Sequence, residues 1–353
     1  MNKIEQVRGK LEQLQIDGLL ITNSFNRSYL SGFTGTSGVV LITKDRALFI
    51  TDFRYTEQAQ KQCVGYEIVQ QTGSLVEEVA KQVAHLSIRY LGFEETNVTY
   101  KEFKEYENAL SATLVPVSNV IENLRLIKTP QEINILKDAA KIADAAFAHI
   151  LTVLKPGMTE LEVSNELEFF MRKQGATSSS FDIIVASGER SALPHGVATH
   201  KKIEKGDMVT LDFGALYNGY ISDITRTVAV GNPKDELKEI YQVVLEAQLK
   251  GVEGIKAGIT GIQADALTRD HIASCGYGQY FGHSTGHGIG LEVHEGPGLS
   301  AKSSTILVPN MVVTCEPGIY VAGLGGVRIE DDLIITETGN EVITFSPKEL
   351  IIL

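Results

Sequence analysis

Residues 208–230 read MVTLDFGALYNGYISDITRTVAV, with apolar and polar side chains alternating up to Asp212. That alternation predicts a strand, and an Asn-Gly pair between two tyrosines predicts a two-residue hairpin turn. Counting back from the turn, Asp212 lies opposite Thr225. Because side chains alternate between the two faces of a sheet, Asp223 lies on the same face as Asp212. The hairpin therefore places two carboxylates roughly 7–8 Å apart between backbones, close enough to converge.

Two carboxylates that point at one place repel each other unless a cation or a shared proton lies between them. For this hairpin alone, two separate surface acids are the alternative. Further candidate ligands follow in three short motifs, FGHSTGHGIGLEVHE at 281–295, TCEPGIY at 314–320 and GVRIEDD at 326–332. The complete set in chain order is Asp212, Asp223, His287, Glu316 and Glu330.

Four carboxylates and one imidazole are sufficient to hold two divalent cations, with carboxylates bridging them. In two-metal hydrolytic sites the cations lie about 3.5–4 Å apart. An oxygen-rich set with a single nitrogen suits Mn²⁺, or another fairly hard ion, better than a thiolate site would. We therefore predict two divalent metal ions as cofactors, with Mn²⁺ as the first choice and Co²⁺ and Zn²⁺ as alternatives.

The order of these five residues and the motifs around them resemble the metallopeptidases of the pita-bread fold, which include aminopeptidase P, prolidase, methionine aminopeptidase and creatinase. The resemblance covers most of the chain and implies an α/β (α+β) fold class. It implies an N-terminal creatinase-like α/β domain at 1–125 and a pseudo-symmetric pita-bread catalytic domain at 126–353. The implied activity is metal-dependent hydrolysis of the Xaa-Pro bond at the N-terminus of a dipeptide or short peptide, through a metal-bridging hydroxide.

The composition is that of a soluble globular protein, with 43% hydrophobic and 22% charged residues in a chain of 353. This length accommodates one large or two ordinary domains. The net charge of −12, without any basic block, argues against nucleic acid or an anionic membrane as a partner. No segment has the apolar length of a signal-peptide core or a membrane span. Three scattered cysteines fit a reducing compartment, so a cytoplasmic location is expected.

Helical and extended patterns alternate in the first 125 residues, which predicts a separate α/β domain. The segment YLSGFTGTSG at 29–38 is predicted to be a tight loop, because it lacks the strand–GxxxxGK[ST]–helix form of a phosphate site. The second domain is predicted to begin near Lys128, where Thr129-Pro130-Gln131-Glu132 forms a capping box ahead of a helix that runs through Leu154.

Two segments of the second domain, 154–175 and 255–276, align without gaps. Each predicts a turn, an N-capping threonine and a helix that ends at a glycine, and each is followed by two of the candidate acids. A duplicated half with the site between the copies is the expected geometry, in agreement with the pseudo-symmetry of the pita-bread fold. The matched residues are Lys155 and Lys256, Gly157 and Gly258, Thr159 and Thr260, and Gly175 and Gly276.

The resemblance also implies roles for individual residues. His287 is the implied imidazole ligand, with His283 as its competitor, and Glu316 is both a ligand and the group that takes a proton from the bridging water. His195 and His294 are implied to donate hydrogen bonds to the scissile carbonyl or the tetrahedral intermediate, because the developing negative charge needs preorganised donors. The alternative for each of these two histidines is a structural role in a loop, with its hydrogen bonds made to the protein itself.

Two further residues are predicted to contact substrate. Arg328 lies two residues before Glu330 and is expected to pair with the carboxylates or with the substrate, a surface ion pair being the alternative. Phe181 corresponds by position to an apolar residue that lines the proline pocket in prolidases, with ordinary core packing as the alternative. Thr225 is a candidate hydrogen-bond donor to a ligand carboxylate.

The motif GLEVHE at 290–295 and the N-terminal domain favour the proline-specific branch of the family. Several prolidases carry an arginine shortly after this motif, whereas residues 296–299 read GPGL here. That difference weakens a strict dipeptidase interpretation, although Arg54 of the partner subunit would substitute in a homodimer, the state common among relatives with this N-terminal domain. A methionine aminopeptidase-like enzyme and a non-catalytic peptide-binding module of the same fold are the alternatives.

Overall fold

The computed structural model describes residues 2–353. Its internal packing divides the chain into two compact units, one that ends at Arg125 and one that runs from Leu126 to Leu353. Among the residues that it describes, none of the helices combines the length and the apolar character needed to cross a membrane.

The first unit alternates helices with strands. In chain order its elements are α1 (Lys3–Leu11), β1 (Gly18–Ile21), α2 (Ser24–Ser31), β2 (Val39–Thr43), β3 (Ala47–Thr51), α3 (Thr56–Gln62), β4 (Glu67–Gln70), α4 (Leu75–His85), β5 (Tyr90–Glu94), α5 (Tyr100–Ala109), β6 (Thr113–Val117) and α6 (Val120–Arg125). The strands form one mixed sheet in the order β4-β3-β2-β1-β5-β6. Strands β1 to β3 are buried along their whole lengths, as their runs of branched and aromatic residues require.

The glycine-rich loop predicted at 29–38 is wrong for its first three residues, because α2 runs to Ser31. The side chain of Asn23 caps this helix by accepting hydrogen bonds from the next turn, at 2.9 Å from Phe25 N and 3.0 Å from Asn26 N. Gly32 ends the helix with a φ of 73°. The loop proper therefore begins one turn later than the glycines alone indicate.

The second unit packs long helices against short strands. In chain order its elements are α7 (Pro130–Val153), α8 (Glu160–Lys173), β7 (Ser178–Ser179), β8 (Ile184–Ser187), β9 (Asp207–Phe213), β10 (Ala215–Tyr217), β11 (Tyr220–Ile221), β12 (Ile224–Val230), α9 (Asp235–Gly254), α10 (Gly261–Ser274), β13 (Gly286–Gly288), β14 (Glu295–Leu299), β15 (Val312–Cys315), β16 (Gly318–Val321), β17 (Gly325–Arg328), β18 (Asp331–Ile335) and β19 (Asn340–Val342). The capping box predicted at Thr129 and Glu132 opens α7.

The hairpin predicted within 208–230 is present with the predicted register. Asp212 on β9 pairs with Thr225 on β12, and Tyr217 pairs with Tyr220 across the turn. Both residues of the Asn-Gly turn have positive φ, at 48° and 83°, as a type I′ turn requires. The local turn signal was therefore sufficient to fix which residues oppose each other.

The hairpin is not one continuous ladder, because it breaks where β9 gives way to β10. At Gly214 a side chain would collide with the carbonyl oxygen of Ser222 on the opposite strand, so the two backbones approach closely only because glycine has no Cβ. Asp223 lies in the corresponding gap between β11 and β12, and its backbone N–H donates to Asp332 Oδ2 at 2.9 Å. The break thus fixes Asp223 against β18.

The internal repeat appears as a repeated set of hydrogen bonds around α8 and α10, which begin with the same capping box at Thr159 and Thr260. In the first copy the N–H groups of Gly157, Glu160, Leu161 and Ile203 donate to the carbonyls of Ile203, Lys201, Thr199 and Met158. In the second copy those of Gly258, Gly261, Ile262 and Leu307 donate to Leu307, Thr305, Ser303 and Ile259. The two halves therefore share one backbone arrangement.

Strands β9 and β12 lie between two apolar cores of the second unit. Leu211 and Phe213 of β9 belong to the core that includes side chains of α7 and α8, whereas Met208 belongs to the core that includes α9. Because both faces of β9 are buried among close-packed side chains, the position of its C-terminal residues is fixed by packing. Asp212 is one of those residues.

Candidate metal centre

A cavity of about 610 Å³ opens in the second unit where β9, β13 and β17 end. It is lined by all of the predicted metal ligands and all of the residues predicted to contact substrate, and these come from both halves of the repeat. The lining residues of this predicted set are Phe181, His195, Asp212, Asp223, His287, His294, Glu316, Arg328 and Glu330.

Three of the predicted ligands form a compact group. Asp223, His287 and Glu330 each direct one ligand atom to a common place, where these atoms lie within 4.8 Å of one another. His287 Nε2 lies 3.8 Å from Asp223 Oδ2 and 3.4 Å from Glu316 Oε1, which brings the fourth member alongside. Asp212 lies on the same cavity wall. The arrangement provides an imidazole nitrogen and several carboxylate oxygens at separations that a bound cation can span.

The environment of His287 leaves one nitrogen free to bind a cation. Its Nδ1 lies 3.1 Å from the carbonyl oxygen of Gly288, so Nδ1–H donates and the lone pair remains on Nε2. Burial, followed by the nearby His294 ring, lowers the pKa of His287 to about 4. The imidazole is therefore neutral near pH 7, in the form and tautomer that a metal ligand needs.

The acids are buried together, which is costly unless positive charge compensates them. Burial, and then the charges of neighbouring carboxylates, raises the pKa values of Asp223 and Glu330 well above their usual range. The same effects, with burial first, raise the pKa of Glu316 to about 8. Asp223 Oδ1 is buried and receives no hydrogen bond. A donor set of this kind fits divalent cations, which would take up both the charge and the free oxygen.

Arg328 supplies a buried positive charge within this group. Its Nη2 contacts Asp212 Oδ2, its Nη1 donates to the Tyr320 hydroxyl at 2.7 Å, and its Nε donates to Thr225 Oγ1 at 3.1 Å. Thr225 in turn donates to Glu330 Oε2 at 2.6 Å. Arg328 is only 3% exposed. The alternative prediction from the sequence, an ion pair at the protein surface, is therefore wrong. One guanidinium is therefore connected to two of the predicted ligands, directly to Asp212 and through Thr225 to Glu330.

His283 has no nitrogen left for a metal. Its Nε2 lies 2.8 Å from the Tyr320 hydroxyl and its Nδ1 lies 2.8 Å from the Ser284 carbonyl oxygen. Because the carbonyl can only accept, Nδ1 carries the proton and the tyrosine hydroxyl donates to Nε2. Burial is the first cause that lowers the pKa of His283 to about 4, so the ring is neutral. Sequence reasoning missed Tyr320, although it ends the TCEPGIY motif, because nothing local links it to His283.

The segment 283–287, which carries His283 and leads into β13, is held by side chains of α10. Asp265 Oδ1 accepts hydrogen bonds from the N–H and the hydroxyl of Thr285, both at 2.9 Å. Arg269 pairs with Asp265 at 2.6 Å and donates to the His283 carbonyl at 2.7 Å. The Asp265–Arg269 ion pair on α10 therefore fixes the position of the backbone that leads to the candidate imidazole ligand.

The remaining predicted residues lie around this group. His195 and His294 are both exposed side chains on the cavity wall, and the His294 ring centre lies 4.3 Å from that of His287. Phe181 is partly buried and also faces the cavity, beside Asp182 and Ile184. A small substrate in the cavity therefore has two imidazoles and an apolar ring within reach.

The raised carboxylate pKa values predict a pH-dependent response to metal. In metal-free protein the folded state holds a proton on Glu316 up to about pH 8, whereas the unfolded chain releases it near 4.5, the ordinary pKa of a glutamate. Stability of the metal-free protein should therefore fall as pH rises between these values. Mn²⁺ binds the ionised form, so its stabilising effect, measured as the rise in Tm by differential scanning fluorimetry, should be larger at pH 8 than at pH 5.

The Glu316→Gln variant is the control for this titration, since it removes the group whose pKa is raised to about 8. Its metal-free Tm should fall less between pH 5 and pH 8 than that of the unaltered protein. A metal-free Tm that stays constant over this range, with an equal Mn²⁺ effect at both ends, would contradict the prediction.

Comparison with known proteins identifies the family. Residues 134–337 match metallopeptidase family M24, and residues 3–127 match the creatinase/prolidase N-terminal domain. The chain belongs to metallopeptidase family M24. The family resemblance inferred from the four acids and one histidine is therefore confirmed, as is the mixed α/β fold class with a creatinase-type domain in front of the M24 domain.

Several M24 proteins are similar to this chain over nearly its whole length. It is 63% identical over 352 residues to the uncharacterized peptidase YqhT of Bacillus subtilis, which covers 99% of this chain and 100% of that protein. The solved structure of an Xaa-Pro dipeptidase from Bacillus anthracis is 67% identical, with a TM-score of 0.98 and 99% of each chain covered. That of an X-Pro aminopeptidase from Thermotoga maritima MSB8 is 41% identical, with a TM-score of 0.90, and covers 98% of this chain and 100% of that one.

Proposed function

We propose that this M24 protein is a dinuclear-metal peptidase that hydrolyses the Xaa-Pro bond at the N-terminus of dipeptides or short peptides. The observation that carries the proposal is the convergence of four carboxylates, three of them buried and one partly buried, and one neutral imidazole on a cavity that two further histidines border. Similar M24 proteins named as an Xaa-Pro dipeptidase and an X-Pro aminopeptidase support the proline-specific activity.

The proposed ligands of two divalent cations, with Mn²⁺ as the first choice, are Asp212, Asp223, His287, Glu316 and Glu330. When bound, such cations supply Lewis-acid polarisation and lower the pKa of a shared water, which provides the attacking hydroxide near neutral pH. The oxygen-rich composition of the set supports Mn²⁺ over softer ions. Burial raises the pKa of Asp212, and the direct contact with Arg328 opposes that rise and orients the carboxylate.

The protein's own groups account for the other needs of the reaction. Glu316 lies beside the proposed cation site, with its Oε1 3.4 Å from His287 Nε2, so its ionised carboxylate would be within reach of the proton that the water gives up. His294 and His195 lie on the cavity wall as donors for the oxygen that becomes negative in the transition state. A substrate's free amino group is cationic, and an acid-rich cavity favours it.

The length of the peptide that the protein accepts depends on which positively charged side chains line the cavity. Arg328 is the only arginine or lysine that lines the cavity among the residues described here, and four of its five N–H donors are directed to Asp212, Tyr320, Thr225 and the Pro194 carbonyl. The carboxylate of a dipeptide would lie beside the proline ring, where the described residues that line the cavity offer no other guanidinium or ammonium to receive it. This arrangement supports acceptance of tripeptides and longer peptides at least as well as dipeptides.

The proposal predicts strong selectivity for proline in the second position. Phe181 is the candidate wall of the proline pocket, and replacing proline by alanine removes the packing of the ring and the fixed bend of the peptide. Burial of a comparable apolar group contributes about 1.5–3 kcal/mol, so kcat/KM should fall roughly 10–100-fold or more. The assay strips the protein of metal, restores Mn²⁺, and compares Xaa-Pro, Xaa-Pro-Xaa and Xaa-Ala peptides.

Each result of this assay distinguishes a named alternative. Cleavage of Xaa-Pro dipeptides with none of Xaa-Pro-Xaa would refute the length argument. Equal cleavage of Xaa-Pro and Xaa-Ala bonds would contradict the proposed proline pocket and favour a methionine aminopeptidase-like enzyme. Metal and peptide binding without turnover would favour a binding module. A homodimeric state and a cytoplasmic location stay predictions from the sequence.

A further inference from the structure

The segment 187–199, here called the histidine loop, leaves the end of β8 and carries His195 to the cavity wall. His195 itself is exposed, whereas Ser187 at the start of the loop is fully buried. An exposed imidazole at the tip of a loop has a defined position only if the rest of the loop is held. The question is which contacts hold it.

One carboxylate joins the two ends of the histidine loop. Glu160, the first residue of α8, is fully buried, and its Oε1 accepts hydrogen bonds from the N–H of Ser187 at 2.9 Å and its hydroxyl at 2.8 Å. Its Oε2 accepts from the N–H of Thr199 at 3.1 Å and its hydroxyl at 2.7 Å. Two donors of Ser187 and two of Thr199, twelve positions further along the chain, thus bind to a single side chain.

Arg190, inside the loop, extends this connection. Its Nε lies 3.1 Å from Glu160 Oε2, and its Nη2 donates to the carbonyl of Val197 at 2.8 Å. Val197 also bridges to Ile184 of β8, which closes the loop on itself. The guanidinium therefore transmits the position of Glu160 to the residues on the C-terminal side of His195.

The second half of the repeat shows that the backbone does not need this carboxylate. The residue aligned with Glu160 is Gly261, and its N–H donates to Thr305 as that of Glu160 donates to Lys201. A side chain at Gly261 would collide with the Gly298 carbonyl and with Ser303. The same turn and helix start thus form around a glycine in one half, so the buried acid in the other half serves the loop that it contacts.

We propose that Glu160 is a positioning residue for the peptidase reaction, which acts by holding the histidine loop so that His195 faces the substrate carbonyl. The inference rests on the proposed function, since it requires His195 to contact the substrate. Replacing the carboxylate by an amide puts an N–H₂ group against N–H and O–H donors and leaves some of them without an acceptor. Displacement of a catalytic group by about 1 Å costs on the order of 10²-fold in rate.

The test compares Glu160→Gln with Glu162→Gln in Mn²⁺-loaded protein. Glu162 is the exposed capping-box residue two positions along the same helix, and Gln263 fills its role in the second half, so an amide is native to that position. Glu160→Gln should lower kcat/KM for Xaa-Pro hydrolysis on the order of 10²-fold, whereas Glu162→Gln should stay within threefold of the unaltered protein. Metal content should be unchanged in both variants.

A double-mutant cycle with His195→Ala separates positioning from general damage. If Glu160 acts through His195, then adding Glu160→Gln to His195→Ala should lower kcat/KM by less than threefold further. Hydrogen–deuterium exchange of residues 187–199 should be faster in Glu160→Gln than in Glu162→Gln. If Glu160→Gln does not fold, the same cycle can be run with Thr199→Val, which removes one hydroxyl bond to Glu160 together with the acceptor of the Lys201 N–H.

The outcomes distinguish this proposal from the proposed function. An unaltered protein that cleaves no Xaa-Pro peptide would overturn the function, whatever the exchange data show. A working peptidase in which Glu160→Gln stays within threefold of normal, or loses the same factor with and without His195, would overturn the role of Glu160 alone.

Discussion

Replacing His287 by alanine is expected to cause loss of bound metal and to lower kcat/KM for Xaa-Pro peptides by about 10³-fold or more. His287 is the only imidazole whose free nitrogen is grouped with carboxylate oxygens, 3.4 Å from Glu316 Oε1 and 3.8 Å from Asp223 Oδ2, among the described residues. A catalytic cation contributes several kcal/mol to transition-state stabilisation, and each 1.4 kcal/mol is tenfold in rate. Metal content by mass spectrometry and steady-state kinetics measure the two effects.

His283→Ala is the matched control for this prediction. His283 lies four residues before His287 and, like it, is a partly buried ring with a pKa of about 4. Both of its nitrogens are engaged, by Tyr320 and by the Ser284 carbonyl. Its loss should therefore leave the metal content unchanged, whatever it does to the rate. Metal retained in His287→Ala and lost in His283→Ala would reverse the assignment of the imidazole ligand.

The parts of the fold that the sequence predicted are those controlled by short-range chemistry. The register that pairs Asp212 with Thr225 depends on a turn whose two residues both need positive φ, and only a few residue types satisfy that. The start of α7 depends on a capping box within four consecutive residues at Thr129. Signals of this kind lie within the segment that they organise, so they can be recognised without knowledge of the fold.

The features that were missed depend on contacts with residues outside the motif from which each prediction was made. The helical state of Tyr29–Ser31 is supported by a cap at Asn23 and by burial, which outweigh the glycines that follow. Asp223 lies in a gap between strands because Gly214 lets the backbones approach closely, which alternation alone does not reveal. Tyr320 joins Arg328 to His283 through contacts across 8 and 37 residues. Such contacts arise from tertiary packing and leave no local pattern.

The electrostatics of the site explain why these long-range contacts matter. Buried acids raise one another's pKa values, as in Asp223 and Glu330, and a folded chain tolerates that only with compensating charge or donors. Arg328 and Thr225 supply part of the compensation, through Asp212 and Glu330 respectively. Divalent cations would supply the rest. The same residues that make the metal-free site costly are therefore the ones suited to hold metal.

The setting of His294 suggests a role beside the metals rather than on them. It is exposed on the cavity wall, with its ring centre 4.3 Å from that of His287. The next residue, Glu295, forms a buried ion pair with Lys128 at 2.8 Å, and its backbone pairs with Gly288 across β13 and β14. The backbone next to His294 is thus held in place, while the His294 imidazole remains free to contact a ligand.

His294→Ala is therefore expected to lower kcat by about 10²–10³-fold, because removal of one preorganised donor to a developing oxyanion has an effect of this size. KM should change little, since the lost hydrogen bond strengthens only in the transition state, and the metal content should stay that of the unaltered protein. His85→Ala, which removes a histidine of α4 in the first unit, controls for the substitution itself. Loss of metal in His294→Ala would make His294 a ligand. A rise in KM at unchanged kcat would limit its role to ground-state binding.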